Sequence, residues 1–319
     1  MSLPVYFAPL EGVTDAAFRR VHRAHFGGVD KYFIPFVSPT QDLVFTPREK
    51  RNILPEYNPV DCTVPQILTR RAEHFLWAAN RFADMGYKEV NLNAGCPSGT
   101  VTAKGKGSGM LTDIPALDSF LEEVCAKSPL PVSVKTRIGF TSPTEFERIM
   151  EVYNRYPISE LIIHPRTRSQ QYEGRANKYA YRDALASSPL KVVYNGDLFT
   201  PQDCAVHEAD CPKTQALMLG RGLIGNPALA QSHAGGAPLT KETFIAFHDA
   251  LQTAHADFHP RNVVFGRMKE FMKYAVCSFE DFEKPRKQLR KAANMDAYLD
   301  AVHKLFDEHD ISENPGYEP

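Results

Sequence analysis

Long apolar runs are absent from this chain. Although 43% of the 319 residues are hydrophobic, no stretch approaches the roughly 20 apolar residues that a membrane span requires. The opening residues, Met1 to Val5, lack a basic segment leading into an apolar one, so no secretory signal is expected and the compartment reads as cytoplasmic. Charge of one sign is lacking too. A formal net charge of -1 excludes a field that draws nucleic acid to the whole molecule, so an RNA partner would require a local basic patch. Cysteine is sparse: six thiols make no disulfide framework in a chain this long, and a reducing compartment keeps them free. Cys204, His207 and Cys211 hold a single Cys-x2-His step without a second ligand pair, so no structural metal is expected. The fingerprint G-x-G-x-x-G is also missing. The first strand-to-helix turn reads Pro9-Leu10-Glu11-Gly12-Val13-Thr14-Asp15, which disfavours a doubly wound dinucleotide-binding sheet.

What is present is an alternation. Short runs rich in β-branched and aromatic residues recur at Val5 to Ala8, Lys31 to Phe36, Val64 to Leu68, Glu89 to Asn93, Val132 to Thr136, Leu161 to His164, Lys191 to Asn195 and Ala216 to Gly220. They read as eight strands. Amphipathic stretches of helical length separate them, among them Asp15 to Phe26, Arg71 to Met85, Pro115 to Lys127 and Thr144 to Tyr156. This rhythm predicts an α/β chain with a (βα)8 TIM barrel over residues 1–236. After Gly235-Gly236-Ala237-Pro238 the strands stop, and helices are expected at Glu242 to His259, Val263 to Val276, Phe279 to Lys291 and Asp296 to Glu308. They form a small all-α bundle over 237–311, and 312–319 reads as a loose tail.

Barrel enzymes carry their chemistry at the carboxyl ends of the strands. Polar residues converge there from five strands: Gln66, Asn93, Lys135 with Arg137, His164 with Arg166, and Asn195. The turns Asn195-Gly196-Asp197 and Gly220-Arg221-Gly222 follow strands seven and eight, where barrels commonly hold a phosphate on backbone N–H groups. Lys135 suits an electron-rich ring such as a flavin, the alternative being a lysine paired with a carboxylate. Cys96 opens the glycine-rich segment Gly95 to Leu111, which is expected to be a mobile, non-helical loop over the barrel mouth. A thiol near its free pKa of about 8.5 can donate a proton at neutral pH or act as a nucleophile.

The segments Ala8 to Asp15, Asn91 to Ser98, Val134 to Arg137, His164 to Thr167, Asn195 to Asp197 and Leu219 to Gly222, in this order and spacing, resemble the tRNA-dihydrouridine synthases. The resemblance implies FMN in the barrel, NADPH as reductant, and a C-terminal domain gripping tRNA. It implies reduction of the C5=C6 bond of a D-loop uridine, with hydride passing to C6 and Cys96 protonating C5. Pro9, Leu10, Glu11, Gln66, Lys135, His164, Asn195, Gly196, Asp197, Gly220 and Arg221 match flavin-binding positions, and Asn93 a position near the target base. Leu10, Pro165, and Gly99 with Thr102 depart from the family pattern. The basic run from Arg261 to Lys291 holds nine cations against four acids and suits RNA. The rival enzyme is a flavin-dependent barrel reductase of a free pyrimidine or enone. A monomer is the simplest assembly.

Overall fold

The computed structural model describes residues 2–318. Eight strands, β1 (Val5–Phe7), β2 (Lys31–Val37), β3 (Thr63–Ile67), β4 (Val90–Ala94), β5 (Val132–Arg137), β6 (Leu161–His164), β7 (Val192–Tyr194) and β8 (Ala216–Leu219), close into a barrel in chain order. The pairings from β2 to β8 are all parallel. Every residue of β1, β3, β4, β6, β7 and β8 is buried. That is why β1, β7 and β8 read as continuous apolar runs, while β4 alternates Val90, Leu92 and Ala94 with two buried asparagines.

Two compact units share the chain, one comprising Lys31–Asp197 with Asp210–Met218, the other the segment up to Asp30, Leu198–Ala209 and the segment from Leu219 on. In the second of these, the helix Ala16–His25 begins where the Asp15 carboxylate accepts the Phe18 N–H. Phe18 meets Phe247 and Phe271 at ring-centroid distances of 5.6 and 5.8 Å. The first barrel helix thereby shares one aromatic core with the C-terminal helices Lys241–Ala256 and Arg261–Ala275, and edge-to-face pairs of this kind add to the area they bury.

The larger unit carries a charged layer at the amino-terminal ends of its strands. Lys31 Nζ lies 2.7 Å from Glu89 and 2.9 Å from Glu160. The three stand at the starts of β2, β4 and β6, the alternate-strand arrangement that fills a barrel in layers. Burial pushes the Glu89 carboxyl up, against the pull of Lys31. A carboxyl raised by folding adds stability below its unfolded pKa and loses it as pH rises. Removing the cation raises it further, so Lys31→Met is expected to cost about 2 kcal/mol at pH 7.5 and far less at pH 4.5. Urea unfolding at both pH values checks this, and an equal deficit at each would refute it.

Three sequence expectations are corrected. The expected helix Phe279 to Lys291 begins only at Glu283, because Phe279 pairs with Ile311 and Pro285 cannot donate into a helix arriving from upstream. The segment Gly95 to Leu111 contains a helical turn at Gly99–Thr102 and is buried from Gly107 to Leu111. Its glycines serve close packing, since a Cβ on Gly107 would come within 2.8 Å of the Cys96 carbonyl oxygen. Finally, residues 312–318 are tied down: Ser312 N donates to Ser278 O, and Pro315 O accepts from the buried Asn226 amide at 3.0 Å.

Candidate functional site

Parallel register sets out the polar residues of the larger unit. Gln66 lies beside Asn91, Asn91 beside Ser133, and Asn93 beside Lys135. Alternation turns Asn91 and Asn93 to the same face of β4. Asn91 Nδ2 donates to Ser133 Oγ at 2.8 Å, Gln66 Nε2 to Asn91 Oδ1 at 2.8 Å, and Asn93 Nδ2 to Gln66 Oε1 at 2.7 Å. The chain ends where Asn93 Oδ1 accepts the N–H groups of Gly95 and Cys96. Those two N–H donors identify which Asn93 atom is oxygen. Asn93 and Gln66 therefore form the support beneath Cys96, whose carbonyl accepts from both the backbone and the hydroxyl of Ser108.

Arg137 clamps the same segment from the other side. Its Nε donates to Gly95 O at 2.9 Å, and its Nη1 to Thr167 O at 2.8 Å and Gln171 O at 2.7 Å. Burial lowers its pKa to about 10, so it stays charged at neutral pH. Lys135 differs: among the described residues its ammonium has neither a hydrogen bond nor an acidic partner. Burial first, then the Arg137 charge, lowers its pKa to about 7, opposed by Cys96.

His164 and Arg166 follow on β6 and its loop. Arg166 makes a bidentate pair with Asp197 at 2.8 and 2.6 Å, and its Nη1 lies 3.3 Å from His164 Nε2. Asp197 also accepts the Ala176 N–H, so it anchors the loop after β6. Asn195 Nδ2 donates to Met218 O. Gly196 is required by packing, because a Cβ there would lie 2.1 Å from the Tyr194 hydroxyl oxygen. Two residues in this region escaped sequence reasoning. Tyr172 is 51% exposed, 5.5 Å beneath the Arg137 guanidinium and 6.0 Å from the His164 ring. Arg168 stacks on Phe140 at 5.2 Å and borders Gly99, with its Nε buried and unpartnered. Both lie several residues past a strand end, and only the aromatic and cationic composition of Arg166 to Tyr172 could have pointed to them.

In the smaller unit, Leu10 O accepts the N–H groups of Val13 and Thr14, and Leu10 N donates to Thr14 Oγ1. This turn leaves Pro9 and Leu10 half-buried and Glu11 exposed. A Cβ on Gly220 would make ordinary contact with the side chains of Leu10 at 3.4 Å and Ala8 at 3.5 Å, so the segments after β8 and β1 are neighbours. Arg221 is half-buried. In the larger unit the uncompensated Lys135 has the chemistry to meet an electron-rich ring, and in the smaller one the glycine-flanked Arg221 has the chemistry to meet a phosphate.

The basic run divides on inspection. Arg261 pairs with Asp296, Arg267 with Asp15, Lys273 with Glu270, and Arg286 with Glu283, while Lys269 donates to Ala292 O. Lys284, Lys287, Arg290 and Lys291 are exposed, and among the described residues none has an acidic partner. All four lie on the helix Glu283–Lys291, whose opposite face buries Pro285 and Leu289. Burial pushes the Cys204 thiol up to about 12. One group among the described residues, Asp15, His255 and His259, has the spacing to hold a metal, but the Arg267 cation already sits on Asp15. No helix among the described residues is long and apolar enough to cross a membrane.

The model of the family described as Dihydrouridine synthase (Dus) matches residues 6–309. A probable tRNA-dihydrouridine synthase 1 of Synechocystis sp. is 30% identical over 227 residues, covering 70% of this chain and 62% of that protein. A probable tRNA-dihydrouridine synthase 2 of Bacillus subtilis is 30% identical over 230 residues, 69% of each chain. In fold, the chain is similar to a 2-naphthoyl-CoA reductase, with a TM-score of 0.55 and 11% identity over 73% of this chain and 50% of that one. It is likewise similar to morphinone reductase, with a TM-score of 0.52 and 14% identity over 76% and 90%. Matched over nearly its whole length, the chain belongs to the dihydrouridine synthase family.

Proposed function

We propose that this chain is an FMN-dependent tRNA-dihydrouridine synthase that reduces a D-loop uridine, acting in the cytoplasm. The observation that carries the reading is Lys135, a cation without an acidic partner beside a network that fixes Cys96. FMN held by these residues and reduced by NADPH would supply a hydride for uracil C6. Cys96 Sγ holds the proton delivered to C5, completing the addition of two hydrogens across the C5=C6 bond. The thiolate left behind is stabilised by Lys135 and Arg137, whose charges both interact with Cys96. Gln66 and Asn93 set the direction of approach by fixing the backbone at residues 95 and 96. His164, with Arg166 and Asp197 behind it, is assigned to the flavin, as are Pro9, Leu10, Glu11, Asn195, Gly196, Gly220 and Arg221.

RNA is favoured over a free pyrimidine or enone by the four exposed cations of one helix, which a small-molecule reductase does not need. A uracil within folded RNA must also leave its stack to reach the barrel. The test is direct: the holoenzyme with NADPH should form dihydrouridine in unmodified tRNA and none in free uridine under the same conditions. Equal or faster turnover of uridine would overturn the RNA assignment. If three of the cations meet phosphates, Lys284, Lys287 and Lys291 changed together to alanine should lower the slope of log affinity against log salt by roughly 2. An unchanged slope would remove this helix from the interface.

A further inference from the structure

The end of the chain, beyond the family match at residue 309, packs on an arginine already assigned to the phosphate. Arg221 Cζ lies 5.3 Å from the centre of the Tyr317 ring and 5.5 Å from that of Phe199, and the two rings are 5.6 Å apart at 65°. Three nearly equal distances make a triangle, not a sandwich. The guanidinium thus rests over the seam of two edge-packed rings.

Tyr317 is itself held firmly. The Tyr274 ring supports it at 5.4 Å, and Pro315 and Gly316 are buried on either side of the Asn226 bond. A Cβ on Gly316 would come within 2.7 Å of Phe199 O, and one on Gly225 within 2.9 Å of Tyr317 Cβ. Backbone contact this close leaves the segment little freedom. Phe199 lies in the segment after β7, and Arg221 follows the strand β8, so Tyr317 joins the segments that follow these two strands.

We propose that Tyr317 is a positioning residue of the phosphate end of the flavin site, where with Phe199 it holds the Arg221 guanidinium ready for a phosphomonoester. The inference rests on the flavin reading given above. An arginine left free on the surface loses its rotamer freedom when it grips an anion, and stacking it beforehand removes part of that loss. The benefit belongs to the phosphate alone. Riboflavin, which lacks the phosphate, should gain nothing from Tyr317.

The experiment titrates the flavin-stripped full chain with FMN and with riboflavin, alongside thermal melts. Tyr317→Leu keeps bulk but removes the ring, and should raise the FMN Kd about tenfold with the riboflavin Kd unchanged. Tyr317→Phe, which keeps the stacking face, should bind both flavins as the wild type does. Equal weakening of FMN and riboflavin would reduce Tyr317 to a general structural role, and unaltered FMN binding in Tyr317→Leu would remove it altogether; either overturns the proposal. Wild-type protein that binds neither flavin would sink the flavin reading itself, a separate outcome.

Discussion

Cys96→Ala is expected to slow dihydrouridine formation by about 10²–10⁴-fold, the usual contribution of a positioned general acid, while the purified protein stays yellow with flavin. The deletion should be clean because the protein grips this segment by its backbone. Asn93 accepts the N–H groups of residues 95 and 96, Ser108 donates twice to the carbonyl of residue 96, and Arg137 donates to the carbonyl of Gly95. None of these bonds uses Sγ. Alanine also keeps the Cβ that packs against Gly107, so neither a cavity nor a shift of the loop should follow. Cys96→Ser adds a finer test: a hydroxyl has similar reach but is a far weaker acid, so it should restore little of the rate. Flavin content by absorbance and dihydrouridine by mass spectrometry of digested tRNA decide the matter. Turnover within about threefold of the wild type in the flavin-loaded alanine variant would remove Cys96 from the chemistry.

The contrast between what could and could not be read from the residues has a physical pattern. All eight strands fall within a residue or two of their expected bounds, because burial on both faces writes a short apolar run that local composition reveals. Asp15 and Phe26 bound the first helix as its two caps, again from local chemistry. Partnership is another matter. The family resemblance implies Asn93 near the target base and Asp197 at the flavin, but nothing in the sequence tells that their oxygens meet the Cys96 N–H and the Arg166 guanidinium. Which acceptor a side chain meets depends on residues many positions away, and no local pattern encodes it. Residues 312–318 show the same limit. Their turn-forming composition suggests a loose end, but composition cannot show that Tyr317 finds Phe199, Tyr274 and Arg221.

Lys135 offers the sharpest test of the flavin reading, through pH. In the ligand-free protein burial and Arg137 lower its pKa to about 7, so the amine is charged below that pH and largely neutral above it. A bound group with an electron-rich edge favours the ammonium form, and binding above pH 7 must then take up a proton. Flavin affinity should therefore decline as pH rises from 7 to 9, by up to about tenfold per unit, until the pKa of the complex is reached. The phosphate, which titrates near pH 6, is fully ionised across this window and contributes no slope. Lys135→Met deletes the charge at similar bulk. It should weaken flavin binding by roughly 10- to 150-fold at pH 7 or below, the range for a lost charge-assisted hydrogen bond, and it should flatten the dependence on pH. The gap between variant and wild type should narrow toward pH 9, where both side chains are neutral. Equilibrium titrations at three pH values measure this. If wild-type affinity is flat or rises with pH, Lys135 does not face the ring, and the cation in the barrel serves some other ligand.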